Sequence, residues 1–288
     1  MQTDQQSARR THARRKKQRQ KRILAIILAA VLLCIALLLL LRGCTGQKNG
    51  TSSAKKPDGW QYVLPTQPPF AIAMDAGHGG KDLGAVGCIN EVDLTEKVVY
   101  FLNGWLKNDP NYTPVFCRAD GEGATLAQRV EAANSAKADL LISIHGNLEA
   151  GGDTAYGFEC YPAPPGRPYH EPSLRFAQLV AQGMQTAGAT LRGESGVRYC
   201  YYIAVNGEES GGEYNKRIAE ESDTTVQTAE SFAMVDKVDC PALLLEQCFL
   251  TNADDVVAWG FEDGCARAAR IYYESICAYF GTQPLAAA

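Results

Sequence analysis

The chain has 288 residues, 28 of them Lys or Arg and 32 Asp or Glu, for a formal net charge of −4. The charge is divided. Residues 1–42 hold ten basic side chains and one acidic one, net +9, and the remainder holds 18 basic and 31 acidic, net −13. An acidic main part argues against nucleic acid as a partner, because phosphate backbones are held by a basic face.

Taken in chain order, residues 1–22 form a basic tail, and Ile23 to Leu41 form an unbroken apolar run. As a helix that run spans about 28 Å, close to the hydrocarbon thickness of a bilayer. The flank holding Arg14, Arg15, Lys16, Lys17, Arg19, Lys21 and Arg22 places the N-terminus in the cytoplasm and everything after Arg42 outside. The run therefore predicts a single transmembrane anchor over 23–41. A cleaved signal peptide is a second reading, and a lipoprotein at Leu41-Arg42-Gly43-Cys44 a third. All three export the rest of the chain. Residues 42–69, rich in Gly, Ser, Thr, Lys and Pro, read as an exposed linker from membrane to domain.

From Phe70 the pattern changes. Three short apolar runs, Phe70–Asp75, Ala138–His145 and Pro241–Glu246, read as central strands of a sheet covered on both faces. Between and after them lie segments with helical spacing: 91–106, 126–137, 173–187 and 263–280. This alternation predicts an α/β domain over 70–282, with a mostly parallel central sheet and helices on both faces. Residues 194–230 break the pattern. A strand is expected over Tyr199–Val205, and the polar stretch after it reads as a long surface insertion beside the site, either a cover or a solvated excursion.

Ten cysteines are present, eight of them after residue 70: Cys88, Cys117, Cys160, Cys200, Cys240, Cys248, Cys265 and Cys277. An even number in an exported domain permits disulfides. Equally, several can be small buried apolar residues. No CxxC spacing occurs, which argues against a cysteine zinc knuckle.

In open α/β sheets, ligands sit beyond the carboxyl ends of the strands. Here three strands deliver His78, His145 and Glu246 to one rim, and Glu91 starts the helix that comes after His78. Two imidazoles and one carboxylate satisfy a zinc ion with a position left open, and a second carboxylate beside it can move a proton. We therefore expect His78, Glu91 and His145 as metal ligands, Glu246 as the catalytic acid/base and Asn147, just past His145, as a substrate contact. Each alone has a plain reading: a satisfied strand-end histidine, a helix-start charge, a rim carboxylate. Of the other histidines, His12 lies in the basic tail and His170 in a proline-rich loop, placed to be surface.

The sequence resembles the zinc-dependent family-3 N-acetylmuramoyl-L-alanine amidases, a class of cell-wall hydrolases. The resemblance rests on Met74-Asp75-Ala76-Gly77-His78-Gly79-Gly80-Lys81-Asp82, Glu91-Val92-Asp93-Leu94, Cys117-Arg118-Ala119-Asp120, Leu126-Ala127-Gln128-Arg129 with Ala133-Asn134, Leu141–Asn147, and Pro241–Glu246 with Phe249-Leu250-Thr251-Asn252. It implies Zn²⁺ on His78, Glu91 and His145, a catalytic Glu246, and peptidoglycan as substrate, cut at the amide between N-acetylmuramic acid and L-alanine. Arg118, Asp120, Arg129 and Asn134 match positions that look structural. Ala76 and Cys248 stand where family members usually have Pro and Gly. The resemblance also allows an activator protein, since some members are blocked until a partner binds. The alternative function is an inert wall-binding or regulatory relative, which should have lost at least one of the four site residues. A zinc peptidase would show an HExxH helix, and none is present.

Overall fold

A computed structural model describes residues 60–205 and 214–286. The basic tail, the expected anchor at 23–41 and the linker up to residue 59 lie outside the described residues. Among the described residues, no helix is long and apolar enough to cross a membrane.

The chain runs β1 (Phe70–Ala76), α1 (Glu91–Asn108), β2 (Tyr112–Phe116), α2 (Leu126–Ser135), β3 (Leu140–Asn147), β4 (Glu159–Pro162), α3 (His170–Thr186), β5 (Arg198–Ala204), β6 (Tyr214–Glu220), α4 (Ala233–Asp236), β7 (Ala242–Phe249) and α5 (Glu262–Phe280). The three apolar runs become β1, β3 and β7, lying side by side in a sheet of order β2-β1-β3-β7-β4. Pairing is parallel from β2 through β7, and β4 is antiparallel on the edge. All eight β7 residues are buried, as are the first five of β3. That is why these strands read as continuous apolar runs and not as alternating ones.

Alternate residues sort to two cores. Ile72, Met74, Ile142, Ile144, Leu243 and Leu245 meet Leu94, Val98 and Leu102 of α1, Phe176 and Val180 of α3, and Tyr272 and Ile276 of α5. On the other face, Ala73, Leu141, Ala242 and Leu244 meet Val130 and Ala133 of α2, Met234 and Val235 of α4, and Cys200 of β5. The second face is thus covered by helices and by a hairpin. The expected surface excursion contains β6, which pairs antiparallel with β5 from Arg198–Glu220 to Ala204–Tyr214. No disulfide forms among the described cysteines. Seven of them are buried, as small apolar fillers, and Cys88 is exposed.

Element ends follow local chemistry. Thr125 and Gln128 cap α2 reciprocally, satisfying two otherwise orphaned amides. The helix stops at Ser135, two residues before the expected end, because Lys137 takes a left-handed conformation at φ 51° and turns the chain into β3. Arg129 of α2 reaches under the sheet's rim. Its guanidinium donates to Asp75 Oδ1 at 2.7 Å, to the Ala76 carbonyl at 2.6 Å and to the His78 carbonyl. Asp75 is 1 % and Arg129 4 % exposed. Removing one member of a buried pair leaves the other charge uncompensated. Arg129→Met should therefore lower unfolding free energy by about 3 kcal/mol in urea titration, and a change near zero would contradict this role.

Candidate metal centre

The loop after β1 is shaped by what must approach it. His78 sits at φ 62°, in the left-handed region, where a non-glycine residue is held only by surrounding contacts. Here those contacts include Arg129 on its carbonyl. Gly77 precedes it because a Cβ there would fall on the His145 ring. Gly84, at φ 68°, leaves room for two side chains of the cluster: a Cβ would stand 2.6 Å from both Glu91 Oε2 and His78 Cδ2.

Glu91 is the first residue of α1, where the helix N-terminus favours negative charge, and it is 4 % exposed. One oxygen, Oε2, lies 3.0 Å from His78 Nε2 and accepts from the Ala85 amide at 2.8 Å. The other, Oε1, lies 2.8 Å from His145 Nδ1 and accepts from the Gly146 amide at 3.2 Å. The rings of His78 and His145 stand edge to face, centroids 5.2 Å apart. One ligand atom from each of His78, Glu91 and His145 lies within 4.8 Å of the other two. The expected three ligands are brought together.

His145 and Glu246 are directly paired positions in the β3–β7 ladder, so the fourth residue arrives beside the other three. Glu246 is 9 % exposed, and its Oε2 is buried with no hydrogen-bond partner. Such a carboxylate is costly to bury without a partner, and unpartnered buried acids cluster at functional sites. Burial, with repulsion from Glu91 and Glu159, pushes its pKa up to about 7 against the opposing charge of His145. The hydrogen bond to Glu91 raises His78 to about 9, in spite of partial burial. Burial opposes a charge on His145, yet the Glu91 carboxylate lifts it above its ordinary value. Burial also works against ionising Glu91, and its bonds with His145 and His78 outweigh this and hold its carboxyl far below the usual range. Two imidazoles and one carboxylate, converging beside an unpartnered acid, fit the donor set of a catalytic zinc site.

Two residues to which the sequence pattern gives no role complete the surroundings. Asp82 Oδ2 lies 2.9 Å from His78 Nδ1 and fixes that ring from behind, the usual arrangement around a ligating histidine. Glu159 of β4 is the other paired neighbour of Glu246. It is buried, and it accepts from Arg198 Nη1 at 2.7 Å and from the Asn147 amide. Asn147, expected to touch substrate, thus directs its amide to Glu159 and its carbonyl oxygen to the Leu148 amide at 2.9 Å. His170 is not a loop residue but the first residue of α3, half-buried, its Nδ1 2.8 Å from the Ala163 carbonyl oxygen. Arg118 donates to the Ala76 carbonyl at 2.8 Å and to Glu96 at 2.9 Å, and Asn134 accepts from the Asp239 amide at 2.8 Å. Arg118 holds the surroundings of the site together, as does Arg129, whereas Asn134 joins the end of α2 to the segment before β7.

Comparison with known proteins gives the same direction. A family model described as N-acetylmuramoyl-L-alanine amidase matches residues 72–278. The catalytic domain of CwlV, an N-acetylmuramoyl-L-alanine amidase from Bacillus (Paenibacillus) polymyxa var. colistinus, superimposes with a TM-score of 0.58 at 27 % identity, covering 74 % of this chain and 99 % of that one. The amidase CwlM of Bacillus licheniformis is 37 % identical over 126 residues, 40 % of this chain and 48 % of that protein. The amidase AmiC of Escherichia coli is 26 % identical over 207 residues, 65 % of this chain and 47 % of that protein. The matches thus span about half the length of these curated relatives. The matched segment takes in β1, β3, β7 and all four residues of the cluster, and on that ground the chain belongs to the N-acetylmuramoyl-L-alanine amidase family.

Proposed function

We propose that this chain hydrolyses the amide joining the lactyl group of N-acetylmuramic acid to the L-alanine of the peptidoglycan stem. The observation that carries the proposal is the convergence of His78, Glu91 and His145 beside Glu246, whose buried oxygen has no protein partner. His78, Glu91 and His145 would hold a zinc ion. Such an ion supplies Lewis acidity, lowering the pKa of water toward neutrality and polarising a carbonyl oxygen.

The chain's own residues do the rest. Glu246 takes a proton at Oε2 as water attacks the amide carbonyl carbon. It then delivers that proton to the departing nitrogen of L-alanine, as the C–N bond breaks. Its raised pKa suits both halves of that task, since an acid/base works best near the ambient pH. Asp82 fixes the orientation of His78, and Glu91 aligns both imidazoles. An inert relative would have lost part of this set, and all four residues are present and adjacent.

We further propose that the catalytic domain acts outside the cytoplasmic membrane, tethered by residues 23–41. The basic flank before that run and the location of peptidoglycan support this placement. External protease added to protoplasts should then digest the domain while residues 1–22 stay protected.

Mass spectrometry of muropeptides treated with the metal-loaded protein should show free stem peptides with an N-terminal alanine. Glu246→Gln should cut that release by about 100-fold or more while retaining the metal. Cuts between sugars or within the peptide would refute the assignment.

The metal-free domain has its own pH signature. The folded pKa of His78 lies above its ordinary 6.5, so its contribution to stability is complete below that pH and disappears as pH rises through about 9. The folded pKa of Glu91 lies below its ordinary 4.5, so its contribution is complete above that pH and disappears on acidification. Thermal melting of chelator-treated protein should therefore give a higher Tm near pH ~5.5 than near pH ~9. Zinc added at about pH 7.5 should release protons, because the imidazoles must be neutral to bind. Calorimetry in buffers of different ionisation enthalpy measures that release, and a reading of zero would contradict the arrangement.

A further inference from the structure

The β5–β6 hairpin brings a cation to the acid side of the site. Lys216 of β6 pairs with Tyr202 of β5. Its Nζ lies 4.8 Å from the ring centre of Phe232 and 5.9 Å from that of Tyr161. Phe232 is itself fixed edge-on against Tyr161 at 5.3 Å and Tyr202 at 5.8 Å. The ammonium therefore stands on a rigid aromatic floor, which restricts its rotamers and orients its charge. Tyr161 is two residues along β4 from Glu159, the paired neighbour of Glu246. Lys216 therefore stands on the side of the sheet that carries Glu159 and Glu246.

Other cations of this region are paired. Arg198 binds Glu159 and Glu220, Arg217 binds Asp223, Lys237 binds Glu230 and Arg167 binds Asp236. Lys216 is exposed and makes no ion pair among the described residues. In the part of the chain whose net charge is −13, an ammonium with no ion pair among the described residues, held on the side of the sheet that carries Glu246, is available to an anionic ligand. A stem peptide supplies one, since an acidic residue comes after its L-alanine and places a carboxyl a few bonds from the scissile amide.

Building on the amidase reading, we propose that Lys216 is a specificity-determining residue that pairs with a free carboxylate of the stem peptide, so that the chain prefers anionic stems to stems amidated at that carboxyl. The pair forms in the bound complex and takes no part in proton transfer. It lowers KM and leaves kcat unchanged.

The experiment compares two synthetic muramyl peptides, identical except that the acidic residue's free carboxyl is an amide in one of them. Lys216→Met keeps an apolar stem over Phe232 and Tyr161 and removes only the charge. It should raise KM for the acid form about tenfold, as expected for a charge-assisted hydrogen bond. It should leave kcat, and both constants for the amide form, as they were. Lys216→Arg should restore most of the preference, and added salt should erode it in the unmodified protein. Equal effects of Lys216→Met on the two peptides, or no effect, would overturn the proposal. Calorimetric binding of the same peptides to the zinc-loaded protein separates the two readings. A preference for the acid form that depends on Lys216 without hydrolysis of either peptide keeps the specificity residue and rejects the amidase. Hydrolysis without the preference does the reverse.

Discussion

The site depends on one carboxylate binding in two directions. Glu91 spans His78, in the loop after β1, and His145 of β3, which lie 67 residues apart in sequence. Neither histidine could be aligned by its own strand alone. β1 ends before His78 is reached, and His145 is held only by the ladder at its Cα. Glu91 solves this from a third element, with the N-terminal turn of α1 beneath it and the amides of Ala85 and Gly146 occupying its remaining lone pairs. A buried carboxylate with four polar partners is a fixed object. That rigidity explains the glycines around it, since side chains at Gly77 or Gly84 would enter the space the imidazoles and the carboxylate occupy.

The sheet sets what stands next to that object. Parallel pairing of β3 with β7 makes His145 and Glu246 neighbours, and antiparallel pairing of β7 with β4 makes Glu246 and Glu159 neighbours. Two glutamates thus occupy paired positions on one face, and their surroundings divide their roles. Glu159 is bound by Arg198 and Asn147, with Arg192 3.3 Å away, so its oxygens are occupied. Glu246 lies among apolar strand residues and keeps one oxygen without a partner. Similar acids in unlike environments thus stand on a single rim, one satisfied and one with an oxygen left open.

Burial decides how much of this was legible in the sequence. β1, β3 and β7 are covered on both faces, so their apolar runs announced them, and the ionisable residues at their ends stood out as exceptions. The four long helices showed their buried faces by spacing alone, with ends shifted by up to three residues. β6 carried no such signal. Tyr214 to Arg217 are exposed, and only Ala219 is fully buried, so the strand exists through its ladder with β5 rather than through an apolar pattern. β4, four residues long, is too short to declare itself, and Glu159 was missed with it. Asp82 was visible four residues after His78, but loop conformation, not periodicity, aims its carboxylate at the ring.

The hairpin within 194–230, expected as either a cover or a solvated excursion, is tied to the sheet by charge. Arg198, at the start of β5, bonds Glu159 of the sheet and Glu220 of β6 at once. One guanidinium thereby links the base of the hairpin to the strand bordering Glu246. Arg suits this junction because its planar fork serves two carboxylates in fixed directions. Cys200 and Ile218 fasten the same ribbon to the second core, which sets where Tyr202 and Lys216 emerge. A solvated insertion would need neither anchor. With both in place, the hairpin is fastened to the face of the sheet that carries Glu246.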